Sequence, residues 1–417
     1  MDKIRVVGGN PLNGRVEISG AKNAALPAMA ASLLTEETVH LENLPYVRDV
    51  LTTLNLLLDM GVDAELKEDG TADLTAEEVR SFQAPYELVK TMRASILVLG
   101  PLIGRFKKAR VSLPGGCAIG ARPINLHLMG LERMGAKCEV MHGYIEASTE
   151  GLHGSYVMMD TVTVTGTENL MMAAVLAEGQ TVLDNAACEP EVSDLANLLR
   201  NMGAQIEGDG TRTIRIQGVK KLHGCRYRII PDRIEAGTFA IASAITRGDV
   251  EVANCNPQHL TSILTQLSQT GAKISIGTDS FRVKGRDPIW SKNVTTYPYP
   301  AFPTDMQAQY MALMTQGDGS ALITETIFEN RFMHALEMIR MGADITIEGR
   351  QAMINGGRSL TGARVLASDL RASASLILAA LVAEGETLID RVYHLDRGYH
   401  RIEEKLARLG ANIERIR

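Results

Sequence analysis

The stretch LLLDMGVDAEL (56–66) reads as the end of a helix, a glycine and the start of an alternating strand, and five further copies of that joint follow it. They are LERMGAKCEV (131–140), LLRNMGAQIEG (198–208), LSQTGAKISIG (267–277), IRMGADITIEG (339–349) and LARLGANIERI (406–416). The joint glycines, Gly61, Gly135, Gly203, Gly271, Gly342 and Gly410, are spaced by 74, 68, 68, 71 and 68 residues. Glycine suits the position because a left-handed residue commonly ends a helix and lets the chain turn directly into a strand.

A second signal recurs out of phase with the first, in LAEGQTVLDN (176–185), ITRGDVEVAN (245–254), MTQGDGSALITE (314–325) and LVAEGETLID (381–390), with a weaker form in LLTEETVHLEN (33–43). Ala-rich helices precede these segments: KNAALPAMAASLL (22–34), TENLMMAAVLA (167–177), AGTFAIASAI (236–245) and SASLILAALVA (373–383), each expected to be amphipathic. Every unit of roughly 70 residues is expected to run strand, helix, strand, strand, helix, strand, and that period exceeds the 20–50 residues of common solenoids. The expected fold class is α/β, six units in two groups of three. The domain boundary is expected near 229–231, where Pro231 in YRIIPDRIEAG (227–237) opens the fourth unit.

The length, 417 residues, predicts two or three domains, and 45% hydrophobic with 22% charged residues is globular composition. Aromatics are only 4%, so the core must come from aliphatic side chains and the 19 Met, which suit close helix packing. A net charge of -6 excludes the broad basic field that nucleic-acid binding uses. No apolar segment of signal-peptide or membrane-spanning type stands out, and a cytoplasmic protein with no membrane partner is expected. Five scattered Cys without CxxC spacing argue against disulfides and zinc. GxGxxG after a strand, GxxxxGK[ST] and GxSxG are all missing, which removes the main sequence support for nicotinamide, P-loop and nucleophile-elbow chemistry.

Helix N-termini carry unpaired N–H groups and partial positive charge. The residues opening the Ala-rich helices are Lys22 and Asn23, Arg93, Glu168 and Asn169, then Asp232, Arg233 and Glu235, Asp305, and Arg371. Cations at such places (Lys22, Arg93, Arg371) are electrostatically mismatched unless an anion joins them, which points to a polyanionic ligand. In VSLPGGCAIGARPINLHL (111–128), three glycines between Pro114 and Pro123 describe a closing loop around Cys117. Arg105, Lys107, Lys108, Arg110 and Arg122 nearby in sequence are expected to favour its thiolate. Two further polar clusters hold Glu325, Glu329, Arg331 and His334, and Asp390, Arg391, His394, Asp396, Arg397 and Arg401. No spacing among these suggests a metal site.

Taken in order, SGAKNAALP, KTMRASI, LPGGCAIGARP, PDRIEAGTF, FPTDMQAQ, TETIFENRF, DLRASAS and DRGYHRIEEKL resemble the enolpyruvyl transferase family, in its branch that acts on a UDP-sugar. The resemblance covers essentially the whole chain. It implies an inside-out α/β barrel of two domains, each of three βαβαββ-type units, with the N-terminal strand joining the C-terminal domain: residues 21–229, and 1–20 with 230–417. It implies transfer of the enolpyruvyl group of phosphoenolpyruvate to the 3-hydroxyl of UDP-N-acetylglucosamine with release of phosphate, in peptidoglycan synthesis, with no cofactor. Shikimate 3-phosphate is the alternative acceptor.

By that resemblance Cys117 is the acid at the methylene carbon and the site of a phospholactoyl adduct, and Asp305 is the base. Lys22, Arg122 and Arg397 cage the phosphate, Arg331 and Arg371 hold the carboxylate, and Asn23 also lies at phosphoenolpyruvate. The UDP-sugar falls to Asn23, Arg93, Arg122, Pro123, Ile124, Asn125, Leu126, Thr163, Val164, Thr165, Gly166, Asp305 and Ile327, with Glu329, Asp369 and His127 in support. At 163–166 the chain has TVTG where relatives often have SVGA. It has Cys117 where some relatives have Asp, which implies sensitivity to thiol-directed epoxides.

Overall fold

The computed structural model describes residues 2–90, 92–113 and 124–416, and Arg93 without its side chain. Expectations placed on Cys117, Arg122, Pro123 and the Arg93 side chain lie outside the described residues. Among the described residues the chain divides into two compact units, 20–113 with 124–230, and 2–19 with 231–416, each with its own apolar core.

Six four-stranded sheets repeat one pattern, three to each unit. In one of them Tyr156–Met158 lies parallel to Gln180–Asp184, which pairs antiparallel with Thr213–Gln217, and that strand in turn pairs with Gln205–Glu207. The helices Val164–Ala174 and Pro190–Asn201 join these strands, so the order is strand, helix, strand, helix, strand, strand. This corrects the strand–helix order read from the repeats: the glycine joint leads into a hairpin, so the two adjacent strands follow the second helix. All six joint glycines have positive φ, from 94° at Gly271 to 104° at Gly410, the conformation that a Cβ would strain.

The Ala-rich helices are not amphipathic as expected. Every residue of Arg233–Ile245 and of Gln307–Thr315 is buried, as are ten positions of Leu370–Ala380. These three helices contact one another, with the sheets of their unit outside them. A helix enclosed on all sides needs small, apolar residues all round, and Ala lets the axes approach. The other helix class is amphipathic; Arg48–Met60 buries Val50, Leu56, Leu57 and Met60 and exposes Leu58.

Strands distant in sequence complete the sheets. Lys3–Val7 pairs antiparallel with both Glu386–Asp390 and Asn412–Ile416, and Asn13–Glu17 pairs parallel with Asp249–Ala253. In the other unit Cys225–Arg228 lies parallel to Val39–Glu42. Lys405 anchors the turn after Asn13–Glu17: its Nζ donates to the Glu17 carbonyl, to Ser19 Oγ at 2.8 Å and to the buried Glu235 carboxylate at 2.7 Å.

One buried acid makes stability depend on pH. Asp194, only 2% exposed, accepts a hydrogen bond from the Tyr227 hydroxyl at 2.6 Å. Burial pushes its carboxyl up to about 7, against the lowering effect of Tyr227 and the Ile230 amide. The folded chain thus keeps a proton that the unfolded chain gives up near about pH 4, so this contribution is full below that pH and is lost as pH rises toward 7. The loss is on the order of 4 kcal/mol at about 1.4 kcal/mol per pH unit. Asp194→Asn retains the acceptor oxygen and is expected to raise Tm at pH 8 while leaving it nearly unchanged at pH 4. Equal shifts at both would remove Asp194 as the source.

Candidate active site

Asp305 stands in the short turn Thr304–Met306, which Pro303 leads into and which opens the helix Gln307–Thr315. Its Oδ1 accepts from Arg331 Nη2 at 2.7 Å, and its Oδ2 accepts from Arg371 Nε at 3.2 Å and Nη2 at 2.9 Å. Arg331 and Arg371 are only 5% and 4% exposed. Burial pushes the Asp305 carboxyl up, but the guanidiniums of Arg371 and Arg331 together outweigh it and hold the carboxyl well below the usual range. Burial likewise lowers Arg371, and Asp305, Tyr399 and Asp232 more than reverse this, so Arg371 stays charged.

The two arginines are positioned differently. Arg371 is the second residue of Leu370–Ala380, whose N-cap is Asp369; that carboxylate accepts from the amides of Arg371 at 2.9 Å and Ala372 at 3.0 Å. The Arg371 guanidinium also faces the Tyr399 ring, 5.4 Å from its centroid. The Tyr399 hydroxyl meets Thr238 Oγ1 at 2.9 Å and Gln309 Nε2 at 3.3 Å in a buried network. Arg331 Nη1 donates to Thr304 Oγ1 at 2.9 Å, and Thr304 donates in turn to Glu325 Oε2 at 2.8 Å. Glu325 is fully buried; its other oxygen accepts from Thr296 Oγ1 and from the amides of Ile327 and Phe328.

Arg397 closes the turn Val392–Arg397. Its neighbour Asp396 takes the fork of Arg415 through both oxygens, at 2.6 and 3.1 Å, while Arg415 Nε donates to Glu403 at 2.6 Å. Glu329 is exposed and pairs with Arg350 at 3.3 Å, so it does not touch Arg331 or Arg371 as a supporting role in the cage would require.

In the other unit Lys22 opens the helix Lys22–Ala31 and its Nζ donates to Asp49 at 3.0 Å; Asp49 is 2% exposed. The mismatched cations at helix starts are therefore met, for Lys22 and Arg371, by carboxylates of the chain itself. Thr163 caps Val164–Ala174 by accepting from the Gly166 amide at 3.2 Å, which commits that amide internally; Thr163, Val164 and Thr165 are half-buried. Asn125 is exposed and Leu126 buried, at the start of Asn125–Arg133.

His127, 3% exposed, follows them. The Gly100 amide donates to Asn169 Oδ1 at 2.5 Å, which turns the Asn169 amide nitrogen toward His127 Nδ1 at 2.9 Å. That nitrogen must accept, so the ring proton sits on Nε2. Burial pushes His127 down to about 4, and it is neutral at pH 7.

The basic residues near Cys117 in sequence have partners of their own. Arg105 donates to the carbonyls of Leu33, Thr35 and Ala76, Lys107 to that of Glu150, and Arg110 to Glu146, while Lys108 lies over the Phe82 ring. Burial pushes the thiols of Cys138 and Cys225 up to about 11 and of Cys255 up to about 12, and it raises Cys188 as well. Burial therefore disfavours the thiolate at all four. Among the described residues no group of His, Cys, Asp and Glu could hold a metal ion, and no helix is long and apolar enough to cross a membrane.

Residues 6–406 match the family of EPSP synthase (3-phosphoshikimate 1-carboxyvinyltransferase). The chain belongs to that family. It is 60% identical over its whole length to proteins named UDP-N-acetylglucosamine 1-carboxyvinyltransferase from Koribacter versatilis, of which it covers 97%, and from Solibacter usitatus, of which it covers 100%. A protein of that name from Halorhodospira halophila is 55% identical, again over 100% of both chains. Among solved structures it is similar to the enolpyruvyl transferase NikO from Streptomyces tendae, with TM-score 0.89, 25% identity and coverage of 100% and 99%. An EPSP synthase from Acinetobacter baumannii, at TM-score 0.76 and 20% identity over 100% of both chains, shares the fold.

Several residues that support site residues within each unit carry no role in the sequence alone. In the sequence Glu325 is only one acid in a polar cluster and Asn169 only one residue opening a helix, and nothing in it marks Thr304, Tyr399 or Arg415 as supports. None has a local signal: Tyr399 and Asn169 act on residues of other repeats, and Thr304 and Arg415 on residues more than ten positions away within their own. The indirect clue was Glu168-Asn169 at a helix start, where Asn169 is fully buried and must find partners.

Proposed function

We propose that the chain transfers the enolpyruvyl group of phosphoenolpyruvate to the 3-hydroxyl of UDP-N-acetylglucosamine and releases phosphate, in the cytoplasm, as the committing step of peptidoglycan synthesis. The observation that carries this reading is the 55–60% identity along the full chain to proteins named for that reaction. The arginine pair of Arg331 and Arg371 supports it, because a buried fork–fork seat of this kind is suited to a small carboxylate.

In the addition step the sugar oxygen bonds to C2 of phosphoenolpyruvate, Asp305 takes the hydroxyl proton, and Cys117 gives a proton to the C3 methylene. The product is a tetrahedral ketal. Elimination then breaks the C2–O bond, whose electron pair leaves with phosphate, while the Cys117 thiolate takes back a proton from the new methyl group and the C2–C3 double bond is restored. Lys22, Arg122 and Arg397 neutralise the phosphate as it leaves, Arg331 and Arg371 hold the carboxylate, and Asn23 lies beside both substrates. The sugar nucleotide is held by Arg93, Pro123, Ile124, Asn125, Leu126, Thr163, Val164, Thr165, Gly166 and Ile327, with His127 as a neutral donor through Nε2. Asp369 fixes Arg371 through the helix cap. No cofactor enters.

The test is phosphate release from phosphoenolpyruvate with UDP-N-acetylglucosamine and, separately, with shikimate 3-phosphate. Release with the first acceptor alone is expected; release only with the second overturns the reading. Asp305→Ala is expected to bind the UDP-sugar within a few-fold of wild type while turnover falls about a thousandfold, the scale of lost general-base catalysis. A near-wild-type rate would remove Asp305 as the base.

A further inference from the structure

Asp305 fills the place in which Arg331 and Arg371 could receive a carboxylate from outside. Two almost fully buried guanidiniums converge on it, one on each oxygen, at 2.7 Å from Arg331 and at 2.9 and 3.2 Å from Arg371. The carboxylate of a small substrate offers the same pair of oxygens and the same charge. Resting on the proposed enolpyruvyl transfer, we propose that Asp305 is an internal stand-in for the substrate carboxylate: phosphoenolpyruvate displaces it from the arginine pair, and the displacement frees it to accept the proton of the sugar hydroxyl.

The exchange is balanced in charge, since one carboxylate leaves the arginines as another arrives and no proton moves. Proton transfer follows, from the 3-hydroxyl to the released Asp305, as the oxygen–C2 bond forms. While Asp305 is clamped, both its oxygens are engaged with cations, and it is a poor proton acceptor. The hydroxyl is thus left intact until the carbon it attacks is in place.

The surroundings are built to survive the exchange. Arg331 keeps the Thr304 hydroxyl, itself tied to Glu325, when Asp305 departs. Arg371 keeps its helix cap at Asp369, and its buried Nη1 has no hydrogen-bond partner among the described residues, so a donor is in reserve for a second anion. Specificity follows as well, because a phosphate ester without a carboxylate cannot release the base.

The experiment measures binding of two unreactive probes by calorimetry: 2-phospholactate, which carries both phosphate and carboxylate, and inorganic phosphate. Wild type, Asp305→Asn, Asp305→Ala and Asp305→Glu are compared as full chains, with thermal melts to establish folding. With the internal competitor gone, 2-phospholactate is expected to bind about tenfold or more tightly in the Asn and Ala variants, the effect of charge-assisted hydrogen bonds no longer surrendered. Inorganic phosphate is expected to gain less than threefold, and Asp305→Glu, which keeps a carboxylate, to resemble wild type. Unchanged or weaker 2-phospholactate binding overturns the proposal, and so does an equal gain for both probes. Turnover of the same variants reports separately on the base: lost turnover without tighter binding leaves the base and removes the displacement, whereas retained turnover removes the base.

Discussion

Cys117→Ser is expected to cut phosphate release by about a thousandfold, while Cys138→Ser leaves it within a factor of two. An alcohol is a far weaker acid than a thiol, so serine can occupy the position without delivering a proton to the methylene carbon as the ketal forms. The other cysteines supply the control. Burial, with Glu132 adding to it, raises the Cys138 thiol to about 11, and Cys255 is pushed still higher, to about 12. Neither thiol is prepared to react, and an epoxide alkylating agent is expected to modify the protein once, with the modification lost in Cys117→Ser. Phosphate release measured under saturating substrates decides the point, and equal activity of the two serine variants would remove Cys117 from the mechanism.

Arg371→Met is the other large effect expected. The methionine fills much of the volume but removes the Nε and Nη2 donors to Asp305 and half of the carboxylate seat. Losing one member of a buried charge pair costs roughly 3–5 kcal/mol, so kcat/KM for phosphoenolpyruvate should fall by about a hundredfold to several thousandfold. Affinity for the UDP-sugar, measured by calorimetry without phosphoenolpyruvate, should stay within about threefold. Arg371→Lys restores the charge but not the planar fork and is expected to recover only part of the loss. The Asp305 carboxyl also changes. With its largest lowering partner gone, less opposes burial and its pKa rises. The low-pH limb of the rate profile should therefore move to higher pH in Arg371→Met. A variant with kcat/KM within threefold of wild type would show that the carboxylate is held elsewhere.

The repeated glycine joint made the fold legible. Its six copies mark places where a helix must stop in a left-handed residue, and the φ angles at all six bear this out. What the pattern concealed was the order of strands within a unit, because a short edge strand such as Tyr156–Met158 carries three residues and almost no periodic signal. The enclosure of the inner helices is hidden in the sequence for a related reason. Ala pairs with either environment, and a helix buried on every side has no polar face to betray its setting.

The residues of the site were legible as types and as a resemblance, with Asp305, Arg331 and Arg371 all singled out. Their relation was not. The sequence set three cations at helix starts and inferred an external anion; the folded chain supplies Asp49 for Lys22 and Asp305 for Arg371. Composition, the six-unit repeat, the helix caps and the separation of one cysteine from the rest follow from local order along the chain, since each depends on neighbours a few positions away. That Asp305 meets Arg371 across 66 positions, and Arg331 across 26, is decided only by packing the inner helices of one unit against each other. A carboxylate held between two buried arginines is a property of that packing, because its charge balance exists only once water has been excluded from around them.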